Sequence, residues 1–364
     1  MKFSVSKEKL LAGLQSVQNV VSTRTTLPIL SNVLLRSANG QLRLTTTDLD
    51  YGVTDVITVQ SEKDGSTTLP VRRLASIIRE LPGAEVQIEV DSKHATSIRS
   101  GPSFFKINGL GEEEFPALPK FAEAKRYTLR QKDLRDALKK TSYAISSDDT
   151  RYVLNGIFFS FKDERLTMVA TDGRRLALVH VEVEFPKSDE LDVIVPTKCV
   201  NELGRLIGNE GDVQIVIGDN QIAFEIGDKL IISKMVEGNY PNYQQVIPGD
   251  AKERITLERE SFLNAVHRVS LLNNDKSGSV KLTFTKNNLE IASSANGVGE
   301  SNESIAVAYK GRDLSIAFNP EFLQAPLRAL TEDEIFLDLI DEMSPGVIKI
   351  PTPFLYVIMP MRIS

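Results

Sequence analysis

Two aspartates, three histidines and one cysteine are the side chains here whose chemistry calls for explanation. Asp48 and Asp172 stand 124 residues apart, each in the phrase Thr-Asp. A pair of carboxylates can divide the roles of general acid and general base. The same 124-residue spacing recurs in a long internal repetition, so each aspartate occupies an equivalent place in its own copy. A turn in which aspartate accepts hydrogen bonds from nearby amides accounts for both, and a hydrolase using Asp48 or Asp172 is the alternative. His94, His180 and His267 stand apart and read as surface or packing residues. Cys199 is the only cysteine, which excludes an intramolecular disulfide and an all-cysteine metal site. On an expected helix it reads as a small buried hydrophobe. The chain lacks a phosphate-cradling glycine loop, H-E-x-x-H and G-x-S-x-G. A non-enzymatic protein without cofactor or metal is expected.

The elements that carry these residues repeat. FSVSKEKLLAGLQSVQNV, YTLRQKDLRDALKKTSYA and ITLERESFLNAVHRVSLL each read as a strand followed by an amphipathic helix. Val5, Leu129 and Leu257 occupy matching places at spacings of 124 and 128 residues. In the first copy Leu10, Leu14 and Val17 recur at helical spacing. Its start lacks the acidic half of a capping box, leaving Ser6 as the expected cap. Alternating segments follow at Asn32–Leu35 and Gln41–Thr47, with Asn39-Gly40 between them as a hairpin signal. A second strand–helix start comes 64 residues after the first, at Ser66–Pro70 before VRRLASIIREL. The later copies repeat it at Val193–Pro196 and at Ser315–Asn319. Each copy is therefore a doubled strand–helix–strands module, and six modules run in series.

The aromatic and proline-rich stretches Glu112–Phe121 and Asn239–Pro248 fall just before new copies. They divide the chain into expected domains 1–121, 122–249 and 250–364 of an α+β class, each large enough to bury its own core. The 41% hydrophobic and 25% charged fractions are those of a globular protein. MKFSVSKEKLL has charges where a signal peptide needs an apolar core. With no membrane-length apolar run, a cytoplasmic location is expected.

The net charge of −6 argues against nucleic acid only as an average. The six expected helices total +7, and five of the six are net positive, leaving −13 for the rest of the chain. On the third, Lys132, Arg135 and Lys139 form one stripe, with Leu134, Leu138 and Thr141 toward the core. A solvated face explains any one helix. The shared sign points to a common positive face toward a polyanion, without a base-reading motif.

Taken in order, several stretches resemble the bacterial sliding clamps, the beta subunits of DNA polymerase III. They are MKF, Arg24 with TLPIL (Thr26–Leu30), TRYVLNG (Thr150–Gly156), VATDGRRLA (Val169–Ala177), YPNY (Tyr240–Tyr243) and YVIMPMR (Tyr356–Arg362). The resemblance spans the whole chain. It implies the DNA clamp fold and a head-to-tail homodimer closed into a ring around duplex DNA. Such a ring acts as a processivity factor, sliding without sequence specificity. Arg24, Arg72, Tyr152, Lys198 and Gln15 are the implied DNA-facing positions. Phe105 and Ile107 of one copy are implied to meet Leu271 and Leu272 of the next. From the residues alone these four read equally as core.

The resemblance also implies a hydrophobic cleft that tethers DNA polymerases, the clamp loader and other proteins carrying a clamp-binding motif. Leu154, Thr171, Gly173, Arg175, Leu176, Pro241 and Val246 are its implied lining, with Phe322, Met343 and the tail Val357, Ile358, Met359, Pro360, Met361 and Arg362. Apart from Met1 the five methionines all lie in the last two copies, which suits a surface that adapts to varied apolar ligands. The residues alone also admit a tail packed as the last strand, and a repeat-built scaffold that binds proteins without enclosing DNA.

Overall fold

The computed structural model describes residues 1–21, 27–119, 121, 124–273, 278–295 and 297–362. Two compact units form: unit 1 from Met1–Lys132 with Lys198–Met235, and unit 2 from Asp133–Thr197 with Val236–Ser364. The middle repeat thus contributes to both. Among the described residues there are six α-helices: α1 (Lys7–Val17), α2 (Val71–Glu80), α3 (Gln131–Thr141), α4 (Thr197–Leu206), α5 (Arg259–Val269) and α6 (Pro320–Ala329). They stand where the repeat predicts them.

Unit 1 has an eight-stranded antiparallel sheet in the order Lys125–Arg130, Asp212–Ile217, Gln221–Ile226, Lys229–Lys234, Tyr51–Thr58, Gln41–Thr47, Asn32–Ala38, Gly65–Pro70. Its five-stranded sheet ends on the edge strand Ser103–Asn108. The turn at Asn39-Gly40 carries φ values of 53° and 74°, the left-handed pair that a two-residue hairpin requires. Leu10, Leu14 and Val17 of α1 are fully buried. Gly13 lets α1 lie close to the sheet, since a Cβ there would stand 2.5 Å from Leu44 Cδ1. The serine cap expected at Ser6 is not made. The Lys7 amide, the first of the unpaired donors at the helix start, goes to the Ala84 carbonyl at 2.8 Å, so a neighbouring segment anchors the start of α1.

Unit 2 repeats the plan. Its eight strands run Leu191–Pro196, Gly156–Lys162, Arg165–Thr171, Arg175–Glu182, Phe354–Ile358, Gly346–Lys349, Glu334–Leu339, Glu253–Glu258. A four-stranded sheet has Gly299–Ala306 at one edge. The C-terminal strand Phe354–Ile358 therefore lies inside the sheet, paired on both sides. Here the helix starts are capped: the Glu258 carboxylate accepts from the amides of Glu260 and Ser261, and Asn319 Oδ1 accepts from those of Glu321 and Phe322.

Asp338 is the most heavily paired buried carboxylate of this unit. Only 4% of its side chain is exposed, and it receives both Arg254 nitrogens at 2.7 and 2.8 Å and Lys349 Nζ at 3.0 Å. Burial alone would raise its pKa, but the hydrogen bonds from Arg254 and Lys349 outweigh burial and hold it below the usual carboxylate range. A depressed carboxyl stabilises the fold above the unfolded-state pKa, and that contribution is lost as pH falls through the lower folded value. Asp338→Asn should cost about 2 kcal/mol at pH 7, less than for a fully buried pair because both cations stay partly solvated. In urea unfolding the gap from the parent protein should narrow below about pH 4. A gap that stays constant down to pH 2 would show that ionisation of Asp338 contributes nothing.

Candidate functional site

The phrase Thr-Asp folds into the same turn twice. In unit 2 the Gly173 amide donates to Thr171 Oγ1 at 3.0 Å, and the Thr171 hydroxyl donates to the Arg175 carbonyl at 2.6 Å. Asp172 Oδ1 accepts from the amides of Arg174 and Arg175. In unit 1 Leu49 donates to Thr47 Oγ1, Thr47 to the Tyr51 carbonyl, and Asp48 Oδ1 accepts from Asp50 and Tyr51. Both carboxylates serve as turn acceptors, as the repeat spacing predicts. Gly173 takes φ 84°, a left-handed value that costs glycine little. Leu49 takes φ 78° at the equivalent place and is strained there.

Arg175 is held from two sides. Its Nε donates to Asp172 Oδ2 at 3.0 Å, and its guanidinium carbon lies 4.4 Å from the centre of the Phe322 ring on α6. A cation over an aromatic face is attracted by the ring quadrupole, more so when desolvated, and only 15% of the Arg175 side chain is exposed. Beside it the tail strand pairs in register, Arg175 with Ile358 and Leu176 with Val357. Successive residues of a strand face opposite ways, so the expected lining divides. Leu176 and Val357 pack with Val169 and Leu178 beneath Tyr240, Tyr243 and Ile247. Arg175 and Ile358 take the other face.

Beyond the strand, the Met359 amide donates to the Arg174 carbonyl at 2.9 Å and the Met361 amide to the Ala317 carbonyl at 2.7 Å. The tail is thereby fixed at two points while the Met359 side chain remains exposed. Of the other expected lining residues, Leu154 and Ile358 are buried, whereas Pro241, Val246 and Arg362 are exposed and Pro360 is half-buried. Met343, 72% exposed, follows Asp341, whose Oδ1 accepts from the Met343 and Ser344 amides. The structure brings Thr171, Gly173, Arg175, Leu176, Phe322, Val357, Ile358 and Met359 together by direct bonds, pairing or ring contact.

Three supports of this site escape sequence reasoning. Tyr240 stacks on Phe158 at 4.9 Å with 15° between the rings, and its hydroxyl points to the Val169 carbonyl. The Tyr356 hydroxyl donates to the Phe322 carbonyl at 2.8 Å, and Tyr143 lies 5.8 Å from the Tyr356 ring. Burial raises the pKa of Tyr143, Tyr240 and Tyr356, so all three remain neutral phenols. The YPNY and YVIMPMR stretches contain Tyr240 and Tyr356 without assigning either a supporting role, and Tyr143 carries no signal of its own.

The expected DNA-facing set is more dispersed. Arg24 lies outside the described residues. Arg72 on α2 is exposed and donates to the Val21 carbonyl at 2.9 Å. Gln15 is exposed on α1, and Arg205 of α4 reaches the carbonyls of Gln15 and Ser16, tying those two helices. Lys198 at the start of α4 pairs with Asp48 Oδ2 at 2.9 Å and lies 5.8 Å from the Tyr51 ring, yet 66% of its side chain is exposed. In unit 2 Tyr152 is 58% exposed. Lys132, Arg135 and Lys139 are exposed on α3 opposite buried Leu134, Leu138 and Thr141.

At the expected subunit contact, Phe105 is 40% exposed on an edge strand, whereas Ile107 at 8% is already buried within unit 1. Leu271 is 66% exposed, and Leu272 approaches the edge strand at Gly299. Cys199 is buried, and burial pushes its thiol up to about 12. His180 Nδ1 is 2.8 Å from Thr167 Oγ1, and His267 is exposed. Among the described residues no three of histidine, cysteine, aspartate and glutamate cluster to hold a metal, and no helix is long and apolar enough to cross a membrane.

Family models match almost the whole chain: the DNA polymerase III beta subunit N-terminal domain over residues 1–119, its central domain over 128–242 and its C-terminal domain over 244–362. The beta sliding clamp of Chlamydia muridarum is 36% identical over 363 residues, covering 100% of this chain and 99% of that protein. That of Escherichia coli K12 is 35% identical over 370 residues and covers both chains fully. The crystal structure of the DNA polymerase sliding clamp from Bacillus subtilis superposes with a TM-score of 0.96 at 31% identity, again over 100% of each chain.

Proposed function

The chain belongs to the DNA polymerase III beta subunit family of sliding clamps, and from that premise we propose that it is a ring-shaped processivity factor. Two copies associate head to tail, enclose duplex DNA and carry the replicative polymerase along it. The observation that carries this reading is the helix charge. Six equivalent helices total +7 in a chain of net −6, and the Lys132, Arg135 and Lys139 side chains stand exposed on α3.

Enclosure, rather than affinity, holds such a ring on its track. Contacts with phosphate can then stay weak and non-specific, which permits sliding. We place Arg24, Arg72, Tyr152, Lys198 and Gln15 along the DNA path. The Asp48 carboxylate already shares Lys198, which moderates its pull on phosphate. The three domains are proposed at 1–121, 122–249 and 250–364. Ring closure joins the Ser103–Asn108 edge, with Phe105, to the Leu271–Leu272 turn and the Gly299–Ala306 edge of the next copy. A heterologous contact of this kind closes when its rotation fits the number of subunits.

Partner peptides dock across the end of the strand pair in unit 2, where Arg175 with Phe322 stands on one face and Leu176 with Val357 on the other, and along the tail to Arg362, with Leu154, Thr171, Gly173, Pro241, Val246 and Met343 around them. Polymerases and the clamp loader are the proposed partners, the cytoplasm the proposed location, and no bond-making chemistry is assigned.

Retention on DNA tests the mechanism. After loading, the protein should stay on nicked circular duplex for minutes and leave within seconds of linearisation, read by gel filtration or single-molecule fluorescence. Equal loss from circular and linear DNA would sink the topological mechanism.

A further inference from the structure

Unit 1 holds a groove where the matching face of unit 2 is filled. A cavity of about 550 Å³ lies between the eight-stranded sheet and the chain from Glu112 to Pro119. Its floor includes Leu34, Thr45 and Thr54, which the 124-residue offset aligns with Phe158, Val169 and Leu178. In unit 2 Phe158 stacks on Tyr240, and Val169 and Leu178 pack against the same linker. The linker of unit 1 packs instead through Leu118 and Phe121 on Val216, Ala223 and Ile232, and the smaller Leu34, Thr45 and Thr54 leave space beside it. The Thr45 and Thr54 hydroxyls bond each other at 3.1 Å, and Leu230 and Ile232 complete an apolar recess.

The rim differs in charge. Arg36 and Arg43 face each other directly across neighbouring strands, where unit 2 pairs Ser160 with Thr167. Like charges directly opposite are destabilising unless something neutralises them. Glu112 takes Arg36 at 2.9 Å. Arg43 is exposed and has no ion-pair partner among the described residues. Glu113, the other carboxylate of the lining, lies against Gly111 and makes no ion pair with Arg43, so the apolar recess beside the Arg43 guanidinium is complementary to an aliphatic side chain followed by a carboxylate.

We propose that this groove docks an extended segment of a partner protein in which leucine-like and acidic residues alternate. The aliphatic group enters between Leu34, Leu230 and Ile232, and the carboxylate pairs with Arg43. The groove lies wholly within unit 1 and uses no residue of the tail.

A blocked tetrapeptide of alternating leucine and aspartate is the probe, titrated into the full-length protein labelled at leucine and isoleucine methyl groups. Shifts are expected at Leu34, Leu230 and Ile232. Arg43→Gln should weaken binding about tenfold, as should replacing the aspartates of the peptide by asparagine. Thr45→Val with Thr54→Leu, which restores the filling seen in unit 2, should abolish the shifts. Arg43 is exposed, so an unchanged melting temperature would show that the first variant remains folded. The proposal is overturned if no methyl shifts, if the shifts fall only on Leu176 and Ile358 in unit 2, or if neither charge removal weakens binding.

Discussion

Truncation after Ile358 should reduce the binding of partner peptides about a hundredfold or more while leaving the association state unchanged. The strand Phe354–Ile358 is interior to the sheet of unit 2 and survives the cut. What is lost is the segment pinned by the Met359 and Met361 amides, with its two methionines and one proline. Burying a methionine side chain fully is worth about 1.5–3 kcal/mol. Two half-exposed methionines and a proline then supply about 3 kcal/mol, roughly a hundredfold in dissociation constant. Fluorescence anisotropy of a labelled partner peptide measures this, with thermal melting as the control for folding. Undiminished binding would place the docking surface elsewhere.

Replacing both Leu271 and Leu272 by alanine should convert the proposed head-to-tail dimer to monomer at micromolar concentration. Leu271 exposes two thirds of its surface in the single chain, apolar area whose removal from water by a second copy would favour association. A closed head-to-tail pair contains the contact twice, so a loss of about 2 kcal/mol at each weakens the ring by about 4 kcal/mol, near a thousandfold. Sedimentation velocity reads the outcome directly. The exposed position of Leu271 predicts that each chain keeps its melting behaviour as a monomer. An unchanged association state would refute this interface, and Phe105 with it.

Much of the fold was legible because it is written three times. The helices follow from apolar spacing, and the roles of Asp48 and Asp172 follow from their equivalence; both carboxylates accept amides as a turn requires. The strain at Leu49 was not legible. Gly173 marks a left-handed residue in unit 2, but only the ring of bonds from Thr47 and Asp48 shows that a leucine is forced into the same conformation. The anchoring of the start of α1 was not legible either, since the carbonyl that takes the Lys7 amide belongs to Ala84, far away in sequence. Site residues were named through resemblance to a family, and their placement needed coordinates. No local pattern says that Arg175 lies over Phe322, or that pleating sends Leu176 and Arg175 to opposite faces. The buried cluster of Asp338, Arg254 and Lys349 was missed because single charged residues on strands read as solvent-facing.

Each eight-stranded sheet is stitched from two neighbouring repeats. Lys229–Ser233 pairs with Tyr51–Asp55 in one, and Arg175–Val179 with Phe354–Ile358 in the other. A chain whose sequence looks like tandem modules is therefore not modular in its hydrogen bonding. Excising any one copy would strip a central strand of its partner and leave a row of open amides and carbonyls, the template on which chains aggregate. Copy number in such a protein is locked: side chains are free to diverge, as Leu34 and Phe158 have done, while the count of three is held by the backbone.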